Sequence, residues 1–445
     1  MKQTSSDQVS RRQILLIAWP IILSNLSTPL LGFVDTAVIG NLGDPALIGA
    51  IAVGSMIFSF LFWGFGFLRM GTTGLIAQAA GAEDHKEVKA ALFRALLFAI
   101  VIGASLILLQ LPLQQLAFGL ITGSPAVESA AHAYFSIRIW AAPASLIHLV
   151  VLGYLLGQQN TTTILWLQLL LNGTNIALDF LFVIGFGWGV SGVAAATAIA
   201  ESLAAAVGLV IVYRQLRKNY QHYSVSMSDI AEFTSLKRTL VVNRDIMIRT
   251  LTLIFSLAWF TNEGAQQGDV VLASNAILMQ FVSFTAFFLD GFALAAESLT
   301  GNAVGRKHPH LLNQTIRHIS ELGLVTAIFL SLGILFAGPA VIDLLTNAED
   351  VQLSSRAYLL WVVATPVVSL WCFLLDGVFI GATCTREMRN AMVASLAIYL
   401  GAFYVLTPFW HNHGLWLSLM IYYLARALTL VIYLPNVRRL AEIPH

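Results

Sequence analysis

The sequence predicts an all-α integral membrane protein: twelve transmembrane helices in two six-helix lobes related by a pseudo-twofold axis along the membrane normal. Three observations support this prediction: an apolar composition, regularly spaced apolar runs and an internal repeat. Hydrophobic residues make up 58% of the chain and charged residues only 11%, and the mean hydropathy is +0.78. Soluble domains carry about 25% charged residues, so the composition places this chain in a bilayer.

Twelve apolar runs are long enough to cross a bilayer as helices, since each crossing needs about 20 residues. These runs, named spans 1 to 12, cover residues 14–40, 47–76, 90–112, 128–154, 163–186, 191–213, 246–264, 271–299, 313–337, 352–382, 390–409 and 414–435. The polar stretch 214–244 is the one long linker. We therefore expect an N-terminal lobe at 1–213 and a C-terminal lobe at 245–445.

The distribution of positive charge predicts the orientation. Of the 24 Lys and Arg residues, 20 lie in the two terminal tails or in and beside the connections after spans 2, 6, 8 and 10. The connections after spans 1, 3, 5, 7, 9 and 11 have none. By the positive-inside rule both termini are cytoplasmic in a multi-pass protein of the inner membrane. The net charge of +1 indicates no nucleic-acid partner.

Residue identities recur in the two halves of the chain at a steady offset. At 224 residues apart, the sequence repeats Gly81 as Gly305, Tyr134 as Tyr358, Gly153 as Gly377 and Gly157 as Gly381. Each half has six spans, an even number, so both halves cross the membrane in the same direction. A pseudo-twofold axis along the membrane normal then relates them, and a solute path between the halves is the expectation.

Span 1 combines two features that an apolar segment would normally avoid. Pro20 lacks the backbone N–H that would bond to the carbonyl of Leu16, so a helix can bend there. Asp35 places a carboxyl group where lipid makes it costly, unless it faces protein or a water-filled cavity. Span 1 is therefore predicted to be a moving part with a protonation site. A kinked structural helix with a hydrogen-bonded Asp is the alternative.

A second acid is expected at the same depth. Spans 1 and 5 both run outward, and Asp179 approaches the outer end of span 5 as Asp35 does in span 1. Asn175 precedes Asp179 by one helical turn on the same face. Two carboxyl groups with amide and hydroxyl neighbours can hold a proton or a small cation. For Asp179 the alternative is a hydrogen bond that serves only helix packing.

The second half carries different buried charges. Asp290 and Glu297 share one face of span 8, and Asp376 lies near the inner end of span 10. Arg69 has the approximate depth of Asp290 on the repeat-related span, so we expect these two residues to pair and to act as an inner gate. Interfacial solvation or capping is the alternative for Glu297 and Asp376. Three further charged residues within spans are interpreted as structural: Arg138, Glu201 and Arg426.

Motifs of nucleotide-driven and hydrolytic chemistry are absent. The sequence has no GxxxxGK[ST], GxSxG or HExxH pattern, so no catalytic residue and no metal site are predicted. Cys372 and Cys384 indicate neither a disulfide framework nor a metal cluster. The expected energy source is an ion gradient without any cofactor. Protons are the predicted coupling ion and sodium is the alternative.

Four motifs resemble those of the multidrug and toxic compound extrusion (MATE) transporters, in particular the DinF-like branch. They are PxxxSN…PLLGxVDTAVIGxLG in span 1, NxxLD in span 5, LDGF at 289–292 and LLDGVFIGAT at 374–383. The resemblance implies alternating access between two lobes. It also implies that Asp35 and Asp179 form the coupling site, with Tyr134, Asn175 and Thr197 as polar partners. Pro20 falls at the bend of the first helix, and Asp376 matches a family acid on helix 10.

The prediction is therefore a proton-coupled antiporter that exports amphipathic, mostly cationic drugs and toxic compounds, and that works as a monomer in the lipid bilayer. A flippase for lipid-linked precursors and a sodium-coupled exporter are the nearest alternatives. A membrane-embedded hydrolase with paired aspartates would need a GxGD-like motif, which is absent. A passive channel would show flux that does not depend on a pH gradient.

Overall fold

A computed structural model describes residues 8–40, 45–120 and 124–442, and these residues are almost entirely helical, with no β-strand among them. The helices are α1 (Arg11–Gly40), α2 (Pro45–Gly64), α3 (Phe67–Gly81), α4 (His85–Leu108), α5 (Gln110–Leu120), α6 (Pro125–Arg138), α7 (Ala142–Gly157), α8 (Thr161–Asp179), α9 (Gly189–Asn219), α10 (Met227–Ile230), α11 (Phe233–Gln266), α12 (Asp269–Gly305), α13 (Pro309–Leu345), α14 (Glu349–Gly381) and α15 (Thr385–Glu442). A 3₁₀ turn joins α6 to α7, and a π-helix at Phe180–Gly185 follows α8.

Every predicted span falls on a helix. Within the described ranges, nine helical segments are long and apolar enough to cross a membrane. The last of them, α15, has 58 residues and is broken at His411, whose φ of 46° and ψ of −125° are not helical. It therefore supplies both span 11 and span 12, while α1 and α11 supply spans 1 and 7. The prediction of an all-α, multi-pass membrane protein is confirmed.

The turns after α3, α7, α12 and α14 share one backbone feature. Each contains a non-glycine residue with a positive φ: Glu83 (58°), Gln159 (57°), Lys307 (53°) and Thr383 (54°). Glu83 and Lys307 are 224 residues apart, and so are Gln159 and Thr383. The internal repeat thus extends from residue identity to backbone conformation.

Repeated glycines mark the same close helix contact in both halves. A Cβ on Gly153 of α7 would lie 2.6 Å from the backbone oxygen of Arg69 in α3. A Cβ on Gly377 of α14 would collide with the backbone oxygen of Ala293 in α12. Arg69 and Ala293 are themselves 224 residues apart. Only glycine lets the helix backbones approach this closely. The close contact therefore explains why glycine recurs at these two positions.

The chain forms two compact units. The first unit contains Met1–Ile22, Ala77–Glu83 and Val241–His445, and the second contains Leu23–Ile76 and Asp84–Leu240. Helix α1 therefore passes from the first unit to the second after Ile22, and α3 passes back after Ile76. Helix α11 also changes unit, after Leu240.

The first half of α1 is held firmly within the first unit. Arg11 donates from Nη2 to a carboxylate oxygen of Glu321 over 2.6 Å. Ile22 packs so closely on Gly291 of α12 that a Cβ on this glycine would collide with the Ile22 side chain. Pro20 lies between these two attachments, and α1 remains helical through it. The change of unit comes two residues after the proline.

Candidate functional site

The centre of the second unit holds two buried acids in contact. Asp35 of α1 is 7% exposed and Asp179 of α8 is fully buried, and their carboxyl groups hydrogen-bond to each other. Ionised carboxylates offer only acceptors and repel one another, so this contact requires a shared proton. Within the part of the chain that the structure describes, Oδ1 of Asp179 has no hydrogen-bond partner.

Local backbone geometry places Asp179 at a junction. Helix α8 begins behind Asn160, whose side chain accepts from the backbone N–H of Thr163, and it ends at Asp179. The next six residues form the π-helix. Short π-helical segments are rare and are often found at functional sites. Here the change of helix type comes immediately after the acid and sets the direction in which the chain leaves it.

The amide of Asn175 lies between Asp179 and Thr197. One amide atom is 2.9 Å from Oδ2 of Asp179 and the other is 3.0 Å from Oγ1 of Thr197. If Asp179 carries the proton, it donates to the amide oxygen, and the amide nitrogen donates to Thr197. If Asp179 is ionised, the amide must turn so that its nitrogen donates to the carboxylate. The second orientation also lets the amide oxygen accept from the hydroxyl and from the backbone N–H of Thr197, so it satisfies both ends of the amide.

Tyr134, the fifth predicted site residue of this repeat, is fully buried and is bonded to an arginine. Its hydroxyl accepts from Nη1 of Arg138 over 2.7 Å, and Nη2 of Arg138 donates to Glu201 over 2.9 Å. The guanidinium lies 5.0 Å from the centroid of the Phe58 ring. Arg138 thus joins Tyr134 to Glu201. From sequence it was interpreted as structural, and its position within a span was the only available signal.

A second link between α1 and α8 has no sequence motif of its own. Nδ2 of Asn172 donates to the hydroxyl of Ser27 over 2.8 Å and to its carbonyl over 3.2 Å. Together with the contact between Asp35 and Asp179, this bond attaches the second half of α1 to α8. The attachment lies beyond Pro20, within the second unit.

The predicted acids of the C-terminal half are not part of this cluster. Asp376 is buried in the first unit and accepts at Oδ2 from Arg426 over 2.6 Å and from Arg249. Glu297 is also buried there, on α12. The sequence analysis did not single out Arg249, which is one of several cations and lies near the start of span 7. Among the residues described, no group of three or more His, Cys, Asp and Glu side chains could hold a metal ion.

The predicted gate pair is divided between the units. Asp290 belongs to the first unit, and Arg69 belongs to the second. Their pairing therefore stays a prediction. The structure brings together four of the other site residues of the first repeat, namely Asp35, Asp179, Asn175 and Thr197, while Tyr134 is bonded to Arg138.

Comparisons with known proteins agree with one another. The family model described as MatE matches residues 20–181 and 250–405. The chain is 42% identical over 428 residues to "DNA damage-inducible protein F" of Escherichia coli (strain K12), covering 96% of this chain and 92% of that protein. It is 25% identical to "Probable multidrug resistance protein NorM" of Acinetobacter baylyi, covering 94% of each. A crystal structure of MATE in the bent conformation superposes with a TM-score of 0.86 at 19% identity, covering 96% of each chain.

Proposed function

Because this chain belongs to the MatE family, whose members are transporters and not enzymes, we propose that it is a proton-coupled antiporter for amphipathic, mostly cationic compounds. The observation that carries the proposal is the buried contact between Asp35 and Asp179. A relative described as a multidrug resistance protein supports the choice of substrate class.

Antiport follows from the chemistry of a carboxyl pair. The pair attracts a cation when it is ionised and loses this attraction when it is protonated. Proton and substrate then exclude each other, which is the thermodynamic coupling that an exchanger needs. Inward movement of one proton yields about 2.3 kcal/mol per 100 mV of membrane potential and about 1.4 kcal/mol per pH unit.

Three features favour protons over sodium. A hard cation binds through several oxygen ligands, whereas Asp35 and Asp179 are bonded to each other and to one amide. The amide of Asn175 donates to Asp179, and its oxygen accepts from Thr197, so this oxygen is already engaged. Asp376, which matches a family acid, is occupied by the guanidinium groups of Arg249 and Arg426. A cation would have to displace both arginines to bind there.

Helix α1 is the proposed moving part. Its first half is attached to the first unit, and its second half is attached to α8 by Asn172 and Asp179. Pro20 weakens the helix shortly before the change of unit. Protonation of the acid pair draws the second half of α1 toward α8, and α1 bends at Pro20. The bend narrows the binding space in this unit and expels the substrate.

The proposed cellular setting follows from charge and hydropathy. The six-span halves 1–213 and 245–445, joined by the linker 214–244, lie in the inner membrane with both termini cytoplasmic. The protein works as a monomer that takes its substrates from the cytoplasm and from the bilayer. No cofactor beyond the coupling proton is required.

The deciding experiment is transport of ethidium, a lipophilic cation, in proteoliposomes under a pH gradient alone and under a sodium gradient alone. Export that requires the pH gradient and ignores sodium is the expected result. Export driven only by sodium would overturn proton coupling. Flux that is equal with and without gradients would show a passive channel, and transport of a lipid-linked precursor without ethidium export would show a flippase. The controls are empty liposomes and liposomes that contain the Asp35→Asn variant.

A further inference from the structure

Two buried arginines of the first unit converge on a single carboxylate oxygen. Nη2 of Arg426 in α15 donates to Oδ2 of Asp376 in α14 over 2.6 Å, and Nη2 of Arg249 in α11 donates to the same oxygen. The three side chains are between 3% and 9% exposed, and together they form what we call the arginine cluster. Its two guanidinium groups face one carboxylate, so one positive charge has no counter-charge within the cluster.

Much of the hydrogen-bonding capacity of the arginine cluster is unused. Among the residues that the structure describes, Arg249 and Arg426 each form one hydrogen bond, although a guanidinium has several N–H donors. The Nε atoms of both arginines are enclosed without an acceptor, and Oδ1 of Asp376 is enclosed without a donor. Buried polar groups normally have partners. The arginine cluster therefore lacks a negatively charged acceptor.

The corresponding charges of the other repeat are balanced. Arg138 donates to Glu201 over 2.9 Å and to the hydroxyl of Tyr134 over 2.7 Å. The second carboxylate oxygen of Glu201 accepts from Ser145. One cation faces one anion there, both carboxylate oxygens are bonded, and Nε of Arg138 is the enclosed atom that stays unbonded among the described residues. The surplus of positive charge thus belongs to the arginine cluster and is not a general property of the repeat.

We propose that the arginine cluster binds an oxyanion, the carboxylate or phosphate group of a small ligand. Planar guanidinium groups bind carboxylate and phosphate oxygens through paired N–H donors. Such a group supplies the missing negative charge and the missing acceptors at once. The proposal goes beyond the function given above, because the site contains neither Asp35 nor Asp179 and because it adds acidic compounds to the ligands of the protein.

The charge imbalance also determines how the arginine cluster responds to mutation. Removal of Arg249 leaves Asp376 paired with Arg426, and no charge is then uncompensated. Removal of Arg138 leaves Glu201 without its cation, and a buried charge that loses its partner is strongly destabilising. Without ligand, Arg249→Gln should therefore melt at or above the temperature of wild type, whereas Arg138→Gln should melt below it. A surplus cation that is retained at the expense of stability is typical of a binding site.

The first test measures the melting temperature of the purified full-length protein in a neutral detergent. Chloride is replaced by phosphate or by acetate at constant ionic strength. Oxyanion should stabilise wild type as its concentration rises, and Arg249→Gln and Arg426→Gln should each lower the apparent affinity about tenfold or more. Arg249→Lys keeps the charge without the planar fork and should be intermediate. Arg317→Gln is the matched control, because Arg317 is 77% exposed, and it should behave as wild type.

The second test identifies the source of the oxyanion. Rhodamine B and its ethyl ester share one cationic dye and differ in a free carboxylate, so a comparison of their binding by fluorescence anisotropy isolates the acidic group. A preference of wild type for rhodamine B by about tenfold, lost in Arg249→Gln, would support the acidic group of an amphiphile as the ligand. Stabilisation by phosphate or acetate without this preference would support a free oxyanion at the same site.

Three results would overturn the proposal. One is the absence of both effects in wild type. Another is equal stabilisation by oxyanions in wild type and in both arginine variants, because the anion then acts elsewhere. The third is a melting temperature of ligand-free Arg249→Gln as low as that of Arg138→Gln, which would make the arginines structural partners of Asp376.

Two further comparisons keep the test decisive. If Arg249→Gln does not fold, Arg426→Gln and Arg249→Lys decide by the same comparison of affinities. None of these measurements uses an ion gradient. Failure of the oxyanion site therefore leaves proton coupling standing, and proton coupling is tested separately by transport in proteoliposomes.

Discussion

Glu201 and Arg426 occupy corresponding positions in the two repeats and hold ion pairs of opposite polarity. Glu201 of α9 accepts from Arg138 over 2.9 Å, whereas Arg426 of α15 donates to Asp376 over 2.6 Å. In each repeat the pair joins the sixth span to the fourth. In each repeat the sixth span thus contributes one charge to an ion pair, and the sign of that charge is reversed between the repeats.

The ion pairs that Asp376 forms with Arg249 and Arg426 in the first unit should matter chiefly for stability. Asp376→Asn leaves Arg249 and Arg426 buried without their carboxylate, and removal of one partner of a buried pair costs about 3–5 kcal/mol. Asp343→Asn is the matched control, because Asp343 and Arg356 pair where both side chains are more than two-fifths exposed and such pairs contribute about 0–1 kcal/mol. Thermal unfolding in detergent compares the two variants. Equal melting temperatures would contradict the assignment.

The carboxyl pair should be indispensable for coupling and unnecessary for folding. Asp35→Asn and Asp179→Asn each remove one carboxyl group while keeping its shape, so gradient-driven ethidium export should be abolished. Melting temperature and membrane insertion should remain close to wild type, since the amide preserves a hydrogen bond at a buried site. Transport in proteoliposomes provides the measurement, with Asp343→Asn as a control. Normal export by either variant would remove that residue from the mechanism.

The bend of α1 should depend on its proline. Pro20→Ala restores a helix hydrogen bond and should stiffen α1, which slows transport without lowering ethidium affinity at fixed pH. Pro339→Ala in α13 is the matched control, because it also replaces a proline inside a membrane helix. Structures at low and high pH should differ mainly in α1 beyond Pro20. An identical α1 in both, with Asp35 shown to change its protonation, would rule out the switch.

The glycine contacts of the repeat should tolerate no side chain. Gly377→Ala brings a methyl group against the backbone oxygen of Ala293, and overpacking of this kind costs about 1–3 kcal/mol. Gly401→Ala should be neutral or stabilising, because nothing lies within 4 Å of its Cβ position and alanine favours a helix by about 1 kcal/mol. Melting temperatures of the two variants are the readout. A melting temperature of Gly377→Ala equal to that of wild type would show that this prediction is wrong.

The linker carries a pH-dependent anchor. A hydrogen bond from Lys86, followed by those from Ser226, holds the pKa of Asp229 well below its usual range. A depressed carboxyl pKa gives stability that is present above the ordinary value of about 4 and is lost as the pH falls through the folded-state value. Hydrogen exchange in residues 214–244 should therefore stay slow down to about pH 4 and accelerate only in stronger acid. Asp229→Asn should exchange faster at neutral pH, whereas the exposed Lys237→Gln should not.

Much of the architecture was accessible from the sequence because its signals are local. Hydropathy located the spans that became helices, and the constant offset of glycines such as Gly153 and Gly377 revealed a repeat whose contacts the structure displays. Asp35 and Asp179 were found because an acid in an apolar run is conspicuous. The equal depth of these acids followed from counting residues along two spans of the same direction.

Only the tertiary structure decided which side chains meet. Equal depth did not determine that Asp35 and Asp179 touch, since this depends on the rotation of α1 and α8 about their axes. Arg249 gave no signal beyond its charge, and yet it shares Asp376 with Arg426. Arg138 was marked only by its position within a span, and the structure shows that it joins Tyr134 to Glu201. Hydropathy specifies which segments enter the membrane, but the packing of helix against helix specifies the partners of each buried charge.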